Sequence, residues 1–164
     1  MIAIINSGGA NIASVKFALE RLDVRSVLTD DVNVIRSADK VVLPGVGAAP
    51  VAMQRLASAG LIDCIRTLQQ PVLGICLGMQ LLFSRSAEGN VPLLGLFDAT
   101  CNAFTPTLQR SVPHMGWNQL VFLQDHPLLA GVDNGAHVYF VHSYFAPVTT
   151  QTIAGCSYGH DFTA

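Results

Sequence analysis

Apolar residues along this chain come in two rhythms, and the rhythms alternate. Met1–Asn6 (M-I-A-I-I-N) is an unbroken apolar run, which predicts a strand covered on both faces. From Asn11 to Leu22 the spacing changes to that of a helix, with Ile12, Val15, Ala18, Leu19 and Leu22 on one stripe. Arg25–Leu28 predicts a second strand, followed by a polar turn at Thr29, Asp30 and Asp31. Lys40–Leu43 predicts a third, ending at P-G-V-G, Pro44–Gly47. Helical spacing resumes over Ala48–Ala59 and Leu61–Leu68. Pro71 then opens a short apolar run, Val72–Ile75, that reads as a buried strand. Strands alternating with helices predict parallel βαβ units in a doubly wound α/β sheet.

After Ser84 the pattern becomes β-rich. Asn90–Phe97 reads as a loop and Ala99–Phe104 as a strand. P-H-M-G-W-N (Pro113–Asn118) leads into a strand over Gln119–Leu123, and further strands are expected over His137–Phe145 and Ile153–Tyr158. These are expected to extend the same sheet in one domain spanning residues 1–164.

The conspicuous corner is G-I-C-L-G-M-Q, Gly74–Gln80. Cys76 sits between two glycines where the strand gives way to helical spacing at Met79, Leu82 and Phe83. This is the thiol counterpart of a nucleophile elbow. Glycines there allow a tight turn and close approach of backbone, and a helix beginning after the sulfur favours thiolate. On residues alone a packing cysteine stands equally beside a nucleophile. In a doubly wound sheet, ligands gather beyond the carboxyl ends of the strands, where P-G-V-G and Cys76 are both expected. P-G-V-G also reads as an ordinary turn.

Composition narrows the function classes. Charged residues are only 12% of the 164, the net charge is −2, and no Lys/Arg cluster occurs. Neither nucleic acid nor an anionic membrane is expected as a partner. Thr67–Ser84 and Asn134–His160 are uncharged, but the first is broken by Gln69, Gln70, Pro71 and glycines and the second by Pro147 and a run of Thr and Gln, so neither is an apolar run of about 20 residues. No basic leader precedes the first strand, so a soluble cytoplasmic protein is expected. The cysteines at 64, 76, 101 and 156 form no C-x-x-C and are read as reduced thiols. The S-G-G-A-N loop after the first strand lacks G-x-G-x-x-G and a Walker lysine, so it is a poor phosphate cradle.

P-G-V-G, G-I-C-L-G-M-Q, P-H-M-G-W-N and Y-F-V-H-S-Y (Tyr139–Tyr144), in this order, resemble the class I (triad) glutamine amidotransferases over the whole of Met1–Ala164. The last two motifs resemble in particular the glutaminase subunits of imidazole glycerol phosphate synthases, of histidine biosynthesis. The resemblance implies a flavodoxin-like doubly wound mixed sheet. It also implies glutamine hydrolysis through a thioester on Cys76, with backbone N–H groups of Val46 and Leu77 facing the oxyanion. Gly47, Gln80, Ser143 and Tyr144 would bind glutamine; without the family, Gln80 reads as a polar residue on a half-exposed helix face. It implies no metal or organic cofactor, and a (β/α)₈-barrel cyclase subunit that receives the ammonia as heterodimer partner. The Ser7–Asn11 loop, Asn11 included, and Trp117 would face that partner, although Trp117 alone reads equally as a core residue.

One element of the family pattern is absent. Its base and orienting carboxylate come from an H-P-E motif, and the chain instead ends at Y-G-H-D-F-T-A. His160-Asp161 has the wrong spacing and no proline. The expectation is a chain lacking a C-terminal segment, either active with its partner or a domain that folds and docks without turnover. A third reading is a different cysteine hydrolase that recruits His142 as base; His114, His126 and His137 have packing or surface roles by default.

Overall fold

The computed structural model describes residues 1–7 and 11–164; Gly8, Gly9 and Ala10 of the expected docking loop lie outside the described residues. The chain divides into two compact units, Met1–Asp98 and Ala99–Ala164.

The first unit is built on four parallel strands, β1 (Ile2–Ile5), β2 (Ser26–Thr29), β3 (Lys40–Gly45) and β4 (Val72–Cys76), in the order β2-β1-β3-β4. This is the flavodoxin-like order, in which direction reverses between β1 and β3. Helices connect the strands: α1 (Ile12–Arg21), α2 (Val32–Ser37), then α3 (Ala49–Ser58) and α4 (Ile62–Arg66). The core is aliphatic, with Ile4, Leu43, Leu56, Leu61 and Ile65 fully buried.

Several elements differ from the sequence reading. α2 was not foreseen; its signal is Asp31, whose carboxylate caps the helix by accepting from Asn33 N at 2.7 Å and Val34 N. α1 has its apolar stripe, but none of its residues is buried and Leu22 is exposed. β3 runs on through Pro44 and Gly45 rather than stopping at Leu43. β4 is not buried: Leu73 and Ile75 are 45% and 37% exposed, because β4 is the edge of this sheet. α3 starts at a residue whose N-cap, Ala48, has no capping side chain. Glu88 supplies the acceptor from a distant turn, its Oε2 lying 2.7 Å from Ala49 N.

Past β4 the helix is short. α5 spans only Leu77–Gln80, and Phe83, expected on that helix, begins β5 (Phe83–Ser86). β5 pairs antiparallel with β6 (Val91–Pro92), within the segment read as loop.

The second unit takes up β7 (Phe97–Ala103) from Ala99 onward and adds β8 (His114–Gln119), β9 (Val121–Phe122), β10 (His137–His142), β11 (Tyr144–Phe145), β12 (Ala154–Ser157) and β13 (Asp161–Thr163). P-H-M-G-W-N is thus mostly strand rather than a lead-in. The later strands do not extend the parallel sheet: β8 pairs with β10, β7 with β11, and β12 with β9 and β13, all antiparallel. Of these pairs only β12 and β13 are joined by a short turn; the others bring together strands distant in the sequence. Phe104, Leu120, Phe145, Cys156 and Phe162 form the unit's buried cluster.

Close packing of α5 on β3 and β4 makes a sharp stability prediction. A Cβ on Gly78 would lie 1.8 Å from the Leu43 carbonyl oxygen, within the backbone itself. Gly78→Ala is expected to destabilise the chain by about 3 kcal/mol or more in urea unfolding. Gly60→Ala, at φ 67 with open space around it, is expected to cost only about 1–2 kcal/mol.

Candidate active site

β3 and β4 run side by side in register, with Pro44 opposite Ile75 and Gly45 opposite Cys76. P-G-V-G and Cys76 therefore share the carboxyl edge of the sheet, next to the switch between β1 and β3. Ser7, following β1, reaches the same edge, and its hydroxyl donates to the Pro44 carbonyl at 2.8 Å.

At Cys76 the backbone takes φ 55 and ψ −117, then turns directly into α5. A non-glycine residue here carries steric strain of about 1–3 kcal/mol, held by the surrounding structure. Of the two purposes expected of the flanking glycines, close approach is the one the structure shows. Neither Gly74 nor Gly78 has a positive φ; both are needed for close approach. A Cβ on Gly74 would meet Met79 Cα at 2.6 Å, and one on Gly45 would meet Gly78 N at 2.6 Å. The strain thus sits on the nucleophile candidate itself, which points the thiol outward: Cys76 is exposed, while Leu77 beside it is buried.

Leu77 is the first residue of α5, so its N–H has no acceptor within the helix. Val46 follows the end of β3 and is exposed, and Gly47 has φ 95. Cys76, Leu77, Val46 and Gly47 are therefore gathered at one edge. Gln80 is buried rather than half-exposed, one turn beyond Cys76. Asn11, the N-cap of α1 at φ 76, is exposed, and its side chain accepts from the Ser14 hydroxyl.

In the second unit, Ser143 is the bend between β10 and β11, and Tyr144 opens β11. Trp117 lies on β8 and is 69% exposed, which decides against a core role. Tyr139 is its partner across the ladder, the rings edge to face with centroids 5.5 Å apart. Met115 and Val141, also opposed in register, are exposed on the same face.

The histidines resolve clearly. His142 Nδ1 is 2.9 Å from the Tyr144 carbonyl and its Nε2 is 2.8 Å from His114 Nδ1. With both nitrogens engaged, His142 has no free site from which to deprotonate a thiol. The pairing of His114 with His142 was missed, since 28 residues separate them and no local pattern marks it. His126 caps a turn, its Nδ1 accepting from Leu128 N at 3.1 Å.

The fold and this corner belong to a known class. Residues 3–157 match the glutamine amidotransferase class-I family, and the chain is a member of it. A crystal structure of a glutamine amidotransferase superposes with a TM-score of 0.71 over 96% of this chain and 85% of that one, at 16% identity. Within the class, the relatives are imidazole glycerol phosphate synthase subunits HisH. The protein of that name from Xanthomonas axonopodis pv. citri (strain 306) is 53% identical over 99% of this chain and 82% of its own length. The one from Xylella fastidiosa (strain Temecula1 / ATCC 700964) is 52% identical over the same shares. The chain is a glutamine amidotransferase of this HisH family.

Two measurements follow from these environments. Burial pushes the Cys101 thiol up to about 12 and the Cys156 thiol up to about 11, and Cys64 is buried as well. Iodoacetamide at pH 8 should therefore alkylate Cys76 first, with peptide mapping as the readout; at that pH a thiol near 11 is only about one part in a thousand thiolate. Burial also holds His114 and His142 below the ordinary imidazole value of 6.5; the neighbouring ring adds to the effect at His114, and the Tyr144 carbonyl opposes it at His142. Between the folded and unfolded values the unfolded chain binds more protons, so this contribution is complete above about 6.5 and is lost on acidification. The urea midpoint should fall from pH 7.5 to pH 5, and fall less in His114→Phe.

Proposed function

We propose that this chain is the glutaminase subunit of an imidazole glycerol phosphate synthase, hydrolysing glutamine to glutamate and ammonia and passing the ammonia to a cyclase subunit. The observation that carries the reading is the exposed thiol of Cys76 on a left-handed corner beside the end of β3.

In this reading the Cys76 sulfur attacks the side-chain amide carbon of glutamine. The carbonyl oxygen becomes an oxyanion, and the N–H groups of Leu77 and Val46 donate to it. The intermediate collapses with cleavage of C–N, the nitrogen takes a proton and leaves as ammonia, and a γ-glutamyl thioester remains. Water then attacks the thioester, giving glutamate and restoring the thiol. Gly47 lets the chain turn at the oxyanion loop, while Gln80, Ser143 and Tyr144 are assigned to the α-amino and α-carboxylate groups of glutamine.

Ammonia at neutral pH is mostly protonated and then no longer nucleophilic, so direct delivery to a partner preserves its reactivity. The docking surface we assign is the outward face of β8 and β10, with Met115, Trp117, Tyr139 and Val141; Asn11 is assigned to the interface as well. An exposed aromatic pair on an apolar face is a typical interface anchor. The occupant is the (β/α)₈-barrel cyclase subunit, as heterodimer, since the relatives are named as subunits of a synthase. The setting proposed is the cytoplasm; no helix among the described residues is long and apolar enough to cross a membrane.

Ammonia release from glutamine, with the cyclase subunit present, tests the reading. Release that disappears in Cys76→Ser supports it; no release, with Cys76 still captured by a glutamine-like electrophile, overturns turnover by this chain.

For the active case, Val46→Pro removes one oxyanion donor and should lower release by about 10²-fold, whereas Val46→Ala keeps the N–H and should stay within a few-fold. Trp117→Ala should weaken cyclase binding by about tenfold or more, measured by calorimetry. Unchanged affinity would remove Trp117 from the interface.

A further inference from the structure

The reaction chemistry leaves the two paired histidines of the second unit without a task. They sit behind a bend that does need support. β10 ends at His142 in its ladder with β8, the chain bends at Ser143, and Tyr144 begins β11 on a different sheet, opposite Ala103 of β7. A residue between two sheets belongs to neither ladder, so its position depends on individual bonds.

Two such bonds meet here. Phe104 N donates to the Ser143 carbonyl at 3.0 Å, and His142 Nδ1 lies 2.9 Å from the Tyr144 carbonyl. A carbonyl only accepts, so His142 carries its proton on Nδ1, and in the neutral ring Nε2 holds the lone pair. His114 Nδ1, 2.8 Å away, must then be the donor to it. The result is one directed chain, from His114 through His142 to the backbone immediately after Ser143. Aromatic packing fixes both rings. His114 stacks on Tyr158 at 4.0 Å between centroids and on Phe140 at 5.1 Å, and His142 meets Phe104 edge-on at 5.1 Å.

We propose that the His114–His142 pair is a positioning relay that sets the Ser143–Tyr144 segment for the α-amino and α-carboxylate groups of glutamine. This rests on the assignment of Ser143 and Tyr144 to glutamine binding. Neither histidine touches substrate or the reacting atoms. They act through the bend, as outer hydrogen-bond partners orient the ligands of a metal site. A shift of the bend displaces the groups that hold glutamine but leaves the thiol corner of the other unit intact. The relay therefore affects recognition of glutamine and not the reactivity of Cys76.

The test is saturation kinetics of Cys76 labelling in this chain by 6-diazo-5-oxo-L-norleucine, a glutamine mimic, with iodoacetamide as a thiol reagent that has no amino-acid head. His142→Phe keeps the ring and loses both hydrogen bonds. It should raise the half-saturating concentration of the mimic about tenfold, with the maximal labelling rate and the iodoacetamide rate within twofold of the unsubstituted chain. His142→Asn retains a donor near the Nδ1 position and should recover most of the loss. His142→Gln moves the amide toward the ε position and should not, and this contrast decides the matter even where the Phe variant fails to fold. Half-saturation unchanged in His142→Phe, or equal recovery by Asn and Gln, overturns the relay while leaving the glutamine reading in place. Labelling of the unsubstituted chain that neither saturates nor slows with L-glutamine overturns the glutamine reading, and the relay with it.

Discussion

Everything at the candidate site depends on how closely α5 lies against the ends of β3 and β4. The Gly78 backbone sits where a methyl group would be 1.8 Å from the Leu43 oxygen, and a methyl group on Gly45 or Gly74 would lie 2.6 Å from the backbone of α5. Three glycines on three adjacent segments remove side chains from one small volume, so that backbone packs on backbone. The helix can begin that near the sheet only if the chain turns abruptly at the last strand residue. That residue is Cys76, which takes a φ of 55 that cysteine does not favour. The register of Gly45 with Cys76 and the buried side chains of Leu43, Leu77 and Leu81 hold the corner against this cost.

Environment, more than residue type, separates the four cysteines. Cys101 and Cys156 sit among apolar neighbours where a thiolate would be poorly solvated, and their thiols are raised far above the neutral range. Cys64 is buried on α4. Cys76 alone is exposed, and it is so because the left-handed turn directs it out of the sheet edge. Burial and backbone conformation together thus select one nucleophile candidate out of four.

In the second unit the two faces of one strand pair divide the work. Along β8 and β10, alternate residues point inward, where His114, Phe140 and His142 join the aromatic cluster, and outward, where Trp117 and Tyr139 meet edge to face. The outward face is as apolar as the inward one. A strand pair covered by its own unit on one side only would normally be polar on the other, and the apolar outer face is the feature that supports the docking surface proposed for it.

The periodicities of the sequence were enough for the strand–helix alternation of the first unit, the placing of Cys76 at a strand-to-helix corner, and the β-rich second half, because each of these rests on neighbours a few residues apart. Even α2 left a local mark in Asp31, although its six residues are too short for a helical stripe to show. Other features belonged to tertiary structure. An apolar run such as Val72–Ile75 reads the same in a central strand and at a sheet edge, and only the strand order makes Leu73 and Ile75 exposed. Trp117 could have been core or surface until the register with Tyr139 settled its face. The steric need for Gly78 depends on an oxygen of Leu43, 35 residues earlier in the sequence. His114 and His142 meet only because β8 and β10 align end to end across their ladder. Local sequence encodes which face of an element prefers to be buried, whereas which elements become neighbours, and at what register, is decided when the chain packs.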